Sequence, residues 1–118
     1  MKEMQLFENG DFLLSYKKEL HKCSFNELEA IICEKPYLEL YINNRMFLLK
    51  LSLKVIANIL PPTFIQISRK VFINVLFFKS FFLKNSIHQI QTINKTFEVS
   101  KRRYKAVREA ILQHYSSG

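Results

Sequence analysis

Short runs of alternating apolar and polar residues, each closed by a turn-forming pair, fill most of this 118-residue chain. Residues 11–17 put Phe12, Leu14 and Tyr16 on one side of an extended segment, behind a turn at Asn9-Gly10. Ser24 with Glu27 three residues later has the spacing of a capping box and predicts a short helical turn. A strand then starts over residues 30–33, and Glu34, Lys35 and Pro36 form a loop. Residues 37–42 and 46–51 alternate again, and Asn43-Asn44 between them suits a tight hairpin, because Asn accepts positive φ.

The period changes at Ser52. Leu53, Ile56, Ala57 and Leu60 recur at helical spacing, with Ser52 as the cap and Pro61-Pro62 as the stop. Five β-rich runs follow, over residues 64–67, 71–78, 80–84, 86–92 and 96–99, with turns at Asn85-Ser86 and Asn94-Lys95. A last helix is opened by Ser100 and carries Tyr104, Val107, Ile111 and Tyr115 on one face. The order is strands, helix, strands, helix, with no repeat and no linker. The pattern predicts a mostly β fold with two helices in one domain over residues 10–115, flanked by a lead-in at 1–9 and a tail at 116–118.

Composition agrees with a self-sufficient core. Hydrophobic residues make up 48% and aromatics 14%, so neither disulfides nor a metal are needed to hold the fold. No apolar stretch reaches the ~20 residues of a spanning helix. The amino terminus is polar where a secretory core would sit, so Cys23 and Cys33 are expected to be reduced, in a cytoplasmic protein. His21, His88 and His114 are isolated, and the cysteines do not add a metal spacing to them. There is no nucleophile elbow and no glycine-rich phosphate loop, the glycines being Gly10 and Gly118. Neither catalysis nor a cofactor is expected.

Charge changes the picture more. The formal net charge is +8. Residues 1–39 hold eight acids and five lysines, whereas residues 40–118 hold thirteen Lys and Arg against only Glu98 and Glu109. Such asymmetry points to a polyanionic partner. Ser100, Lys101, Arg102, Arg103 and Lys105 sit at the predicted start of the last helix, the positive end of its dipole. Cations there are unfavourable by about 0.3–1 kcal/mol each unless an anion lies opposite. A second basic pair, Arg69-Lys70 behind Ser68, falls on a connecting loop, and Arg suits bidentate recognition of guanine or phosphate.

Residues 60–74, LPPTFIQISRKVFIN, resemble the central signature of LytTR-type DNA-binding domains: a helix ending in Leu-Pro, a Phe, a short strand, a small-basic loop and a strand ending in Asn. Residues 97–104, FEVSKRRY, are similar to that family's closing strand and helix start, and Ile31-Ile32-Cys33-Glu34 with Tyr37 is similar to its early strand and aromatic-bearing loop. The resemblance covers roughly residues 10–112. It implies an elongated stack of small antiparallel sheets whose loops enter successive major grooves of duplex DNA. It implies contacts from Lys35 and Tyr37, from Ser68, Arg69 and Lys70, and from Lys101, Arg102 and Arg103, with Asn74 structural. The chain departs from the family at Ser68, where many members carry His. Relatives often carry a phosphoreceiver domain, so a receiver or sensor domain would be a partner outside this chain. Two copies on repeated half-sites are the implied assembly.

The runner-up is an RNA-binding module, because the run over residues 75–83 (VLFFKSFFL) supplies aromatics that can stack on bases. The RNP-type aromatic-glycine signature is absent from it. The plain reading of that run is core, and a sharper one is a patch that pairs subunits or docks another domain.

Overall fold

A computed structural model of the chain describes residues 4–7 and 10–116. Eleven strands and two helices lie among them. The first three strands, β1 (Met4–Leu6), β2 (Asp11–Tyr16) and β3 (Glu19–Ser24), form an antiparallel sheet of their own. The central sheet has the order β6-β5-β4-β8-β7, from β4 (Leu28–Glu34), β5 (Tyr37–Ile42), β6 (Arg45–Leu49), β7 (Phe64–Ser68) and β8 (Val71–Asn74). A third sheet is built of β9 (Phe78–Lys84), β10 (Ile87–Thr92) and β11 (Thr96–Glu98). Helix α1 (Leu53–Ala57) joins β6 to β7, and α2 (Tyr104–Ser116) closes the chain. The whole measures 44 × 32 × 24 Å. The expected mostly β architecture of several small antiparallel sheets with two helices is the one observed.

Three hairpins share one turn geometry, with both central residues at positive φ: Lys17-Lys18 at 50° and 64°, Asn43-Asn44 at 50° and 64°, and Asn85-Ser86 at 52° and 65°. This turn matches the right-handed twist of the strands it joins. Two of the three are turns the sequence announces. Lys17-Lys18 has neither Asn nor Gly, and β3 beyond it went unforeseen for that reason. The Asn9-Gly10 turn lies half outside the described residues, and residues 4–6 of the predicted lead-in pair with β2 as β1.

Several strand ends move by a residue or two, and three larger departures from the sequence pattern have a physical cause. Helix α1 is capped by Ser52, whose Oγ accepts the Val55 N–H at 3.2 Å, but it ends at Ala57 with Asn58 as its C-cap. Leu60 precedes a proline and is steered out of the helical region, so the last predicted turn is not helical. Residues 71–78 are two strands rather than one, because Asn74 caps a 3₁₀ turn over Val75–Phe77 through Leu76 N–H (3.0 Å). Helix α2 starts at Tyr104, four residues after Ser100.

Two cores hold the layers. One gathers Phe12, Leu14, Leu28, Ile31, Leu40 and Ile56 between the first sheet, the β4–β6 region and α1. The other gathers Ala30, Ile67, Ile73, Ile90, Val107 and Ile111 between the central sheet, the third sheet and α2. At about 25 cal/mol per Å² of apolar surface, burial of these side chains dominates the favourable side of folding.

Polar clamps connect these layers. Asn74 is fully buried, and its Nδ2 donates to the carbonyls of Phe25 (3.1 Å) and Leu28 (3.0 Å). The capping box around the first 3₁₀ turn is present, with Glu27 Oε1 accepting the Ser24 N–H at 3.0 Å. Glu29, also buried, accepts from the Thr92 hydroxyl (2.6 Å), the Asn94 N–H (2.7 Å) and the Asn94 Nδ2 (2.9 Å), tying β4 to the turn between β10 and β11. Lys95 places its Nζ 3.8 Å from the Tyr41 ring centre, a cation–π contact beside that turn. Cys23 and Cys33 are free and buried, and burial with the nearby Glu27 charge pushes the Cys23 thiol up. No described helix is long and apolar enough to cross a membrane.

Candidate nucleic-acid interface

The basic residues singled out above lie on three turns, and strand direction decides whether those turns meet. β4 and β5 are antiparallel, with Glu34 opposite Tyr37, so Lys35 and Pro36 form the turn at the carboxyl end of β4. β8 runs antiparallel to β4, with Ile32 opposite Val71, and the Cys33 N–H donates to the Lys70 carbonyl at 2.8 Å. The end of β4 and the start of β8 therefore lie side by side. β7 runs antiparallel to β8, and Ser68, Arg69 and Lys70 turn at the same end.

The third turn is brought in by an irregularity in β7. Gln66 pairs with Phe72 and Ser68 with Val71, so Ile67 is the extra residue of a bulge. Its side chain is fully buried, and its carbonyl accepts the Ser100 N–H at 2.9 Å. That bond draws the segment before α2 against β7, one residue from Lys101 and two from Arg69. All three basic turns thus converge on one end of the central sheet.

Within the turns the backbone is held and most cations are left free. Ser68 Oγ accepts the Lys70 N–H (3.3 Å), and Gln66 Nε2 donates to the Arg69 carbonyl (3.5 Å). The Arg103 N–H donates to the Ser100 carbonyl (3.0 Å), and the Arg103 carbonyl accepts the first helical bond, from Val107 N–H (2.9 Å). Lys35, Arg69, Lys70, Lys101, Arg102 and Lys105 are exposed, as is Tyr37, while Arg103 is half-buried. Among the described residues none of these cations has an ion pair. Holding so much like charge together on exposed turns is unfavourable in the absence of an anion.

Two expectations about the last helix need correction. Ser100 does not open α2: its Oγ is buried without a hydrogen-bond partner, and only its backbone N–H and C=O are engaged. Lys101 and Arg102 stand in a turn ahead of the helix and Arg103 at its cap, so Lys105 alone of the four lies within the first helical turn. The cations extend outward from the helix end instead of winding around it. Sequence reasoning missed the part played by Ile67, because a bulge carbonyl leaves no mark in residue type. Asn74 lies at the opposite end of β8 and reaches no basic turn.

No cluster of three or more His, Cys, Asp or Glu side chains that could hold a metal occurs among the described residues. The stack of small sheets thus concentrates unpaired cations from three turns at one end of its central sheet. The sequence profile of the LytTr DNA-binding domain matches residues 18–112, and the chain belongs to that family. It is therefore a DNA-binding domain of the kind used in transcription regulation, in a family that is not catalytic. Among solved structures, the LytTr DNA-binding domain of a putative methyl-accepting/DNA response regulator from Bacillus cereus is similar, with 17% identity and a TM-score of 0.76, over 86% of this chain and 96% of that one. No curated protein matches the sequence.

Proposed function

We propose that the protein reads duplex DNA sequence-specifically, as a cytoplasmic transcriptional regulator, with its three basic turns entering successive major grooves. Lys70, Lys101, Arg103 and Lys105 hold phosphates and set the register, while Arg69 and Arg102 reach base edges. Lys35 and Tyr37 supply the flanking contact. Ser68 and Ser100 shape the two neighbouring turns through hydrogen bonds at their own backbone or hydroxyl groups. Two copies act on repeated half-sites, and a receiver or sensor domain outside this chain governs them.

The observation that carries this reading is the pair of backbone bonds, Cys33 to Lys70 and Ser100 to Ile67, that gathers the three turns. The test is selection of bound duplexes from a random pool. A recovered consensus with two spaced half-sites is the expected outcome. A pool without consensus overturns the reading, and so does stronger binding to single-stranded RNA of matched length at physiological salt, the behaviour of a base-stacking sheet.

A further inference from the structure

Behind the third basic turn, β9 and α2 diverge over a cleft of about 620 Å³. Phe81, Leu83 and His88 form its sheet wall, and Tyr104, Arg108 and Leu112 its helix wall. The helical residues fall at i, i+4 and i+8, one stripe of α2. Several of the apolar groups are wet: Leu83 is 61% and Leu112 46% exposed. A concave apolar site of a few hundred Å³ is the size of small-molecule pockets, whereas a stable protein interface spreads over roughly 800 Å² per partner.

The charge around the cleft is one-sided. β9, β10 and α2 carry Lys79, Lys84, Lys105 and Arg108 against the single acid Glu109. Among the described residues Arg108 has no ion pair, although it lines a wall that is otherwise aromatic and aliphatic. A second copy of so basic a chain is a poor occupant, and a cationic ligand poorer still. We propose that this cleft binds a small anionic amphiphile, with its apolar body between β9 and α2 and its anionic head on Arg108. The Tyr104 ring, stacked on His88 with 3.7 Å between centroids, closes one wall and directly follows Arg103. An occupant thus presses on the residue that joins the cleft to the third basic turn. That coupling to DNA rests on the proposed function; the binding itself does not.

The test uses the full chain without DNA, with anilinonaphthalene sulfonate fluorescence as reporter and decanoate, decanol and decyltrimethylammonium as competitors. Decanoate is expected to displace the dye at roughly tenfold lower concentration than decanol, the size of one charge-assisted hydrogen bond. Decyltrimethylammonium is expected to be weakest. Arg108→Gln should erase the preference for decanoate and weaken dye binding without abolishing it, and Leu83→Asp or Leu112→Asp, both at exposed positions, should remove dye binding with an unchanged circular dichroism spectrum. Absence of decanoate binding below about 1 mM overturns the proposal, as does a preference that survives Arg108→Gln. A wild-type dimer that Leu112→Asp dissolves and decanoate does not would also overturn it, by giving the cleft to a second copy. A negative result here leaves duplex selection unaffected, and failed selection leaves displacement measurable.

Discussion

The amide of Ser100 donates to the carbonyl of Ile67 at 2.9 Å, and this one bond fixes the basic turn before α2 against the basic turn between β7 and β8. It exists because Ile67 is the extra residue of a bulge, leaving its carbonyl outside the regular ladder. A residue with no charge and no exposed atom thereby sets the spacing of the cations around it.

Ser100 separates backbone from side chain. Its hydroxyl is buried without a partner, a state that costs about 1–3 kcal/mol. Ser100→Ala keeps the amide and is expected to hold or raise the melting temperature. Ser100→Pro removes the donor and should cost about 1–3 kcal/mol and weaken duplex binding more than it weakens the fold. Loss of stability in the alanine variant, read by thermal unfolding, would mean that the hydroxyl has a partner after all.

The proposed roles of the cations predict different specificity losses. Arg69→Ala and Arg102→Ala should weaken a selected site by about 1–3 kcal/mol and spare random duplex. Lys105→Ala should weaken both alike and reduce the salt slope by about one phosphate contact. Titrations of the two duplexes at several salt concentrations check this, and equal losses for all three variants would remove the base-reading roles.

Asn74→Ala strips one donor group from two buried carbonyls and one acceptor from the Leu76 N–H. At about 1–3 kcal/mol for each group left unpaired, the loss should be at least about 3 kcal/mol, read by urea unfolding. Asn74→Asp should be nearly as harmful, since it keeps only the acceptor. A loss under 1 kcal/mol, by the same scale of unpaired groups, would show that water replaces the amide.

Tyr41 gives a pH signature. Burial, then the hydrogen bond to Glu39 (2.8 Å) and the charges of Glu39 and Glu34, raise its pKa from 10.0 to about 12. The fold therefore favours the neutral phenol. That contribution is complete below pH 10 and is lost as pH climbs toward 12, because only the unfolded chain releases the proton in that window. Stability should fall across the interval, and Tyr41→Phe should flatten the fall. A variant with the same slope as wild type would assign the fall to groups other than this phenol.

Much of this was legible in the sequence. Alternation located β2, β5, β6 and most of the later strands, Asn-rich pairs located two of three hairpins, and the Ser24–Glu27 spacing located its capping box. Residue type also marked every exposed cation now found on the three turns. What stayed hidden was set by backbone geometry and by distant partners. Lys17-Lys18 adopts a turn its composition does not favour, Asn74 breaks a continuous apolar run by gripping residues almost fifty positions away, and α2 begins late, at Tyr104, with the Ser100 hydroxyl capping nothing. The run over residues 75–83 divided between both readings. Val75 is core, whereas Leu76, Phe82 and Leu83 face solvent.

Glu29 extends this lesson to the way the molecule comes apart. Its carboxylate is the sole buried acid among the described residues, and it accepts from Thr92 at the end of β10 and from Asn94 in the turn that follows. If the third sheet peeled away by itself, the carboxylate on β4 would exchange all three of these hydrogen bonds for water. Their shared loss couples the two sheets, and amide exchange in β4 and β10 should slow and quicken in step.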